Sequence, residues 1–212
     1  MSRFGPEPRD FFDGIYRESP PWDIGAAQPA LLSLLDEFPP GDPILDVGCG
    51  SGDLAIALAH RGHRVLGVDF AERAIGQARE KAAALAPDVA RRVEFAVADA
   101  LRPSALGRDF AAVVDSGFFH LFEDDDRDRF AAELARTLAP GGRYYLLAFA
   151  IEFDIPNTPR RVDDAELRQR FSAERGWEVL ALRAATFESR IAPVPAIAAC
   201  IERRADPDAS PR

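Results

Sequence analysis

Five aspartates, Asp46, Asp53, Asp69, Asp99 and Asp115, stand at or just after the ends of short apolar runs that read as strands. Ahead of Asp53, three alternate glycines, Gly48, Gly50 and Gly52, join the run 44–47 to a helix beginning at Leu54. A strand–glycine turn–helix unit lets a ligand lie against bare backbone, because glycine has no Cβ and tolerates positive φ. Open α/β sheets bind their ligands where strands hand over to helices. Carboxylates gathered there suit a ligand with hydroxyls and positive charge. They oppose phosphates. The dinucleotide fingerprint G-x-G-x-x-G has its third glycine where this chain has Asp53, and a carboxylate at a helix N-terminus repels a pyrophosphate. No Lys or Arg lies between Arg17 and Arg61. A nicotinamide oxidoreductase is disfavoured on these grounds.

Other groupings offer less. His60 and His63 flank Gly62 without a third ligand close in sequence, and read as a solvated helix end. Glu123-Asp124-Asp125-Asp126 resembles a metal cluster but heads a helical stretch, where acids complement the macrodipole. With only Cys49 and Cys200, neither a disulfide framework nor a metal set is indicated, and Cys49 fills a turn that requires a small side chain. No Ser-His-Asp set or glycine–serine elbow is present. No metal is expected.

Asp46-Val47-Gly48-Cys49-Gly50-Ser51-Gly52 resembles motif I of the class I S-adenosylmethionine (SAM) methyltransferases. The rest of that family's series follows in order: Val68-Asp69-Phe70, Ala98-Asp99-Ala100, Val114-Asp115-Ser116, and Leu138-Ala139-Pro140-Gly141-Gly142. The likeness spans roughly residues 41–149. It implies a Rossmann-like α/β fold with a seven-stranded, mostly parallel sheet, helices on both faces and an antiparallel last strand. It also implies SAM as cofactor, with Asp46, Gly48, Cys49, Gly50, Asp115, Ser116 and Gly117 around it. Asp69 would hold the ribose hydroxyls, a job that an acid about 20 residues after the glycine loop suits. Phe70 would pack on the adenine, and Asp99 and Ala100 would meet its edge; the plainer reading of Asp99 is a turn former. Pro21-Trp22-Asp23-Ile24-Gly25 is similar to the P-W-D-x-G segment of thiopurine and tellurite-resistance type methyltransferases, which helps close the site.

The elements that must position these residues follow from pattern. Pro29 opens a helix through Leu35, Gly62 ends the helix after the glycine turn, and residues 65–69 form the second strand. An Ala-rich helix, 71–85, stops at Pro87; strands follow at 93–97 and 110–115, with a loop at 102–108. A helix from the acidic cluster runs to Leu138, and 144–149 is the fifth strand. Asp163 or Asp164 caps a helix to Phe171. Residues 177–187 and 196–203 close the sheet as an antiparallel hairpin. Residues 1–204 read as one domain, with 1–27 as an arm or lid and 205–212 as a disordered polar tail.

Three stretches are expected to face the acceptor. Ser116-Gly117-Phe118-Phe119-His120-Leu121-Phe122 follows the central strand, so its aromatics build either a pocket wall or ordinary core. His120 is a base for a hydroxyl acceptor or a packing histidine. The arm brings Tyr16 and Trp22, as a lid or as packing. The Pro-containing loop 151–162 forms a second substrate wall.

At 212 residues, 29% charged and 47% hydrophobic, the chain has an ordinary globular composition. Its net charge of −9 disfavours nucleic acid. No run of apolar residues suggests a membrane span or secretory leader, so the expected setting is cytoplasmic, as monomer or homodimer. The expected reaction is methylation of a small molecule, with a thiol or other soft nucleophile in first place. The alternatives are a natural-product oxygen or nitrogen acceptor, and a SAM-binding protein without methyl transfer.

Overall fold

Strands β1 (Ile44–Val47), β2 (Val65–Asp69) and β4 (Phe110–Ser116) are short apolar runs because both of their faces are covered. The computed structural model describes Phe4 and residues 8–205. Together with β3 (Val93–Val97), β5 (Leu138–Phe149), β6 (Trp177–Phe187) and β7 (Val194–Arg203), they form a seven-stranded sheet in the order β3-β2-β1-β4-β5-β7-β6. The pairs from β3 through β5 are parallel, and β7 runs antiparallel to both β5 and β6. The order reverses between β1 and β4. This places a crevice above their carboxyl ends.

Alternation along the strands feeds two cores. Ile44, Ala112, Val114, Tyr145 and Leu147 pack on Leu31 and Leu34 of α2 (Pro29–Glu37), Leu54 and Leu58 of α3 (Asp53–His60) and Ile75 of α4 (Glu72–Ala83). Leu45, Val47, Val113, Tyr144 and Leu146 pack on Phe130 and Leu134 of α6 (Asp124–Thr137) and Leu167 of α7 (Asp164–Arg170). Asp163 caps α7 by accepting from the Glu166 N–H at 2.9 Å.

Several boundaries differ from the sequence reading. Pro87 begins a separate turn of helix, α5 (Pro87–Ala90), as its fixed φ allows at a first helical position. Within 102–108, residues Pro103–Leu106 wind into a 3-10 turn. β5 begins at Leu138, and its register against β4 shifts between Phe110 and Ala112, so the Pro140-Gly141-Gly142 turn sits inside the strand as an irregularity. The arm contains a helix, α1 (Pro8–Ile15), whose Phe12 is buried. The expected disordered tail falls, from residue 206 on, outside the described residues. Among the described residues no helix is long and apolar enough to cross a membrane.

Candidate active site

The glycine turn is held in shape from two sides. Gly50 has φ +53°, and its N–H donates to Asp69 Oδ2 at 3.0 Å. Gly48 has φ +63°, and a Cβ there would lie 2.5 Å from the Phe118 ring. A glycine is required because backbone and aromatic ring meet with no room between. At the second strand end, Asp69 Oδ1 accepts from the Ala71 N–H at 2.9 Å. Burial raises the Asp69 pKa, against the opposing pull of these backbone donors.

Asp46 lies on β1 beneath the turn. Its Oδ2 is buried with no hydrogen-bond partner. Burial first, and the neighbouring Asp115 charge second, raise its pKa well above the ordinary value. A buried acceptor left open at a ligand crevice marks a place where a donor belongs.

Asp115 is fully buried and committed. Its carboxylate accepts from the N–H groups of Phe118 (2.7 Å) and Phe119 (3.0 Å) and from the Tyr144 hydroxyl (2.7 Å). Burial pushes its pKa up to about 7 despite these donors. It shapes the segment after β4 from below and, fully buried, borders neither of the hollows described below. That segment then splits. Phe118 faces the cavity, while Phe119 turns into the core between Phe130 and Phe171. The 3-10 turn Phe119–Leu121 rotates successive side chains by a third of a turn, so neighbours cannot share one wall. Phe119 is therefore core, against expectation.

His120 lines the cavity but is 3% exposed. Its Nδ1 accepts from the Phe149 N–H at 3.1 Å, which assigns the ring proton to Nε2. Burial, with the Arg127 charge adding, lowers its pKa to about 3. The ring stays neutral.

The arm closes over this floor. A Cβ on Gly50 would lie 2.5 Å from the Tyr16 hydroxyl, which accepts from Trp22 Nε1 at 3.3 Å. Phe12 meets Phe70 edge to face with ring centroids 5.8 Å apart. Asp23 Oδ2 accepts from the Ser51 hydroxyl at 2.8 Å, fastening the P-W-D segment to the glycine turn. Lys81 of α4 reaches in with Nζ 2.7 Å from Asp53 and 2.9 Å from Ser51 Oγ. The chain's sole lysine thus neutralises a turn that looked free of basic residues when read along the sequence.

Two hollows result. The smaller, about 70 Å³, is lined by Asp46, Cys49, Gly50, Ser51 and Asp53 among others. The larger, about 410 Å³, runs from Asp69, Phe70, Ser116 and Gly117 to Phe149 and Phe153. Tyr16, Trp22, Gly48, Ser116 and Phe187 line both, so the two hollows adjoin. Loop residues Phe153, Ile155, Asn157 and Thr158 supply the expected second wall.

Asp99 and Ala100 stand apart. Asp99 is exposed, its Oδ1 accepts from the Leu101 N–H at 3.0 Å, and it lines a separate hollow with Arg102, Arg129 and Arg136. Ala100 is packed in the core. The turn-forming reading of Asp99 describes this geometry. Burial raises the Cys49 thiol's pKa, which leaves it a filler of the turn. His63 pairs with Asp42 at 3.0 Å, and the described residues hold no group of three His, Cys, Asp or Glu placed for a metal.

One wall went unseen in the sequence, the β6–β7 turn with Phe187, Ser189, Ile191 and Val194. It is tied to the chain before α2 by the Gln28 amide, which bonds both backbone groups of Glu188 (2.9 and 2.7 Å), and by the Arg190 N–H to the Pro21 carbonyl (2.8 Å). Its signal was an isoleucine in the turn between two strands, directly after Ser189 and Arg190.

Residues 44–142 match the methyltransferase domain model. The chain is 34% identical to 2-heptyl-1-hydroxyquinolin-4(1H)-one methyltransferase of Mycobacteroides abscessus, over 76% of this chain and 74% of that protein. It is 30% identical to thiocyanate methyltransferase 1 of Arabidopsis thaliana, over 69% of this chain and 63% of that protein. A solved structure described for conversion of a disulfide bond into a thioacetal group during echinomycin biosynthesis superposes with TM-score 0.79 and 32% identity, over 92% of this chain and 93% of that one. The glycopeptide N-methyltransferase MtfA, at 17% identity, TM-score 0.67 and coverage of 84% and 97%, shares the fold. A glycine turn between buried aspartates, a reversed sheet order and these matches together make this chain a member of the class I SAM-dependent methyltransferases.

Proposed function

We propose that the protein methylates a small, largely apolar acceptor whose nucleophilic atom ionises without help, a thiol in first place. The observation that carries this is the want of a free base among the described residues lining the cavity. Asp69 accepts backbone N–H bonds on both oxygens, and burial raises the Tyr16 phenol's pKa. His120 has Nδ1 occupied and a pKa near 3. A thiol with pKa about 8.5 already supplies thiolate at neutral pH.

The residues that line the crevice suit SAM. Asp46 Oδ2, the buried acceptor without a partner, suits the ammonium of the methionine moiety. Each Asp69 oxygen keeps an acceptor site for a ribose hydroxyl beyond the N–H it already holds. The backbone of Gly48, Cys49 and Gly50 borders the same hollow, beside Trp22, and Phe70 offers a face for the adenine. Ser116 and Gly117 border both hollows or the larger one and lie toward the acceptor. Bound there, the sulfonium supplies an activated methyl group for in-line displacement. The chain's own part is positioning and exclusion of water. Tyr16 and Trp22 roof the site, Phe118, Leu121 and Phe149 wall it, and His120 orients the Phe149 backbone. The proposed setting is the cytoplasm, as monomer or homodimer; the net charge of −9 supports the absence of a nucleic-acid partner.

An acidic hydroxyl is the second reading, favoured by the 34% identical relative named for a hydroxyquinolone. Rates with thiophenol and phenol acceptors against pH, for wild type and His120→Ala, test both. For a thiol the variant should lose less than about tenfold, and the rate should follow the acceptor's own thiolate fraction. A loss of about 10²–10⁴ on phenols with inert thiols would make His120 a base and end the thiol assignment. SAM retained unchanged with every acceptor would end the methyltransferase reading.

A further inference from the structure

We infer that the acceptor carries an apolar extension that leaves the cavity between Ile155 and Ile191 and lies against both. The inference rests on the reading above that the larger cavity receives the acceptor. Among the described residues of the cavity's lining, one side chain is formally charged, Asp69, and it stands at the cofactor end with both oxygens taking backbone N–H bonds. A carboxylate or phosphate on the acceptor would find no Lys or Arg among the described residues of that lining. The acceptor's body is therefore held by apolar contact.

Direction comes from exposure. The large exposed apolar side chains among the described residues are Val97 at 41%, Ile155 at 62% and Ile191 at 81%. Single exposed apolar residues need no explanation. Ile155 and Ile191, however, belong to different loops, 151–162 and the β6–β7 turn, and both border the same cavity. With the reactive end fixed beside Gly48, Asp69 and Gly117, the end of the cavity that meets water is the one these two residues mark. An acceptor confined to the interior would leave both isoleucines in solvent. An extension crossing the mouth would cover them, and the loops already have anchors that keep the gap in place. Arg160 pairs with Glu123 and Asp124 of the α6 start, and Arg190 bonds the Pro21 and Ser19 carbonyls.

Affinity along a series of 4-alkylthiophenols, methyl to octyl, tests this by calorimetry on the full chain saturated with S-adenosylhomocysteine. Each methylene covered should tighten binding about fourfold, the equivalent of about 0.8 kcal/mol per buried CH₂. In the Ile155→Ser/Ile191→Ser double variant, the gain for the outer methylenes should fall below about twofold each. Both positions are exposed, so a wild-type melting temperature is expected. A flat series in the wild-type protein overturns the inference, and so does a full gain retained in the double variant. Methyl transfer from SAM to the shortest thiophenol is followed separately. Steep binding without turnover supports the extension and removes the thiol reading, whereas turnover with a flat series removes the extension alone.

Discussion

Cofactor binding should expel a proton from Asp46. In the ligand-free protein this carboxyl is buried, takes one bond from the Ala55 N–H, and has Oδ2 unpartnered beside Asp115. Burial and that neighbour raise its pKa well above the ordinary 3.8. An ammonium at Oδ2 favours the charged form, so each S-adenosylhomocysteine bound in the proton-holding range displaces one proton. Linkage then makes affinity rise about tenfold per pH unit until Asp46 ionises unaided, and level off above that. Asp46→Asn keeps the shape but offers no charge. It should weaken binding by about 1.5–3 kcal/mol, about 10- to 150-fold, and abolish the pH slope. Stability should move the other way. A carboxyl whose folded pKa is raised contributes fully below its unfolded pKa, and that contribution is lost as pH rises through the folded value. The asparagine protein, unable to ionise, should therefore match or exceed wild-type stability at neutral pH without ligand. Calorimetry in two buffers of different ionisation enthalpy counts the proton directly. No proton released, together with equal affinity in the variant, would refute the ion pair.

Asp115→Asn should flatten the decline in stability between about pH 4 and pH 7, which a pKa moved from 3.8 to about 7 sets at about 4 kcal/mol; urea melts at the two pH values measure it, and an unchanged decline assigns it elsewhere. Gly50→Val should abolish S-adenosylhomocysteine binding in a folded protein, because its φ of +53° resists a β-branched residue and its Cβ would meet the Tyr16 hydroxyl at 2.5 Å; normal calorimetric affinity would contradict the placement of the turn. Deleting residues 1–20 removes Phe12 from Phe70 and Tyr16 from the glycine turn, and should lower kcat/KM about 100-fold or more while lowering Tm by about 10 °C or less. Full turnover in that truncation would show the arm to be packing.

The parts of the molecule legible in sequence are those written locally. The run 44–47, its glycines and Asp69 lie within one βαβ unit, where alternation, turn residues and helix starts each leave a signal a few residues wide. What the sequence hid depends on three-dimensional return. Lys81 neutralises Asp53 from 28 residues away, and Gln28 finds Glu188 across 160. Phe118 and Phe119 are adjacent and chemically identical, and only the pitch of a 3-10 turn sends one to the cavity and the other to the core. Asp115 and Asp69 look alike at their strand ends. Each takes two backbone N–H groups; the difference is the Tyr144 hydroxyl, which reaches Asp115 from β5.

These placements divide the site into halves governed by different physics. At the cofactor half, Asp46, Asp69 and Asp115 are buried close enough to raise one another's pKa or to be raised by burial itself, a standing cost in the ligand-free fold. A cation entering there favours the ionised form of Asp46, so selectivity for a positively charged cofactor comes from carboxyl groups held in place at the ends of β1 and β2. The described residues of the acceptor half carry no such charge. Its outer walls come from the 151–162 loop and the β6–β7 turn, outside the parallel strands and tied to the rest of the chain by a few side chains such as Arg160, Arg190 and Gln28. Substitution in those walls changes apolar shape without disturbing the buried carboxylates or the strands that carry them. Acceptor choice can therefore change while cofactor binding stays fixed. Mutations at Ile191 and Ile155 should shift acceptor preference and leave S-adenosylhomocysteine affinity at the wild-type value, whereas mutations at Asp46 or Asp69 should weaken every acceptor reaction alike.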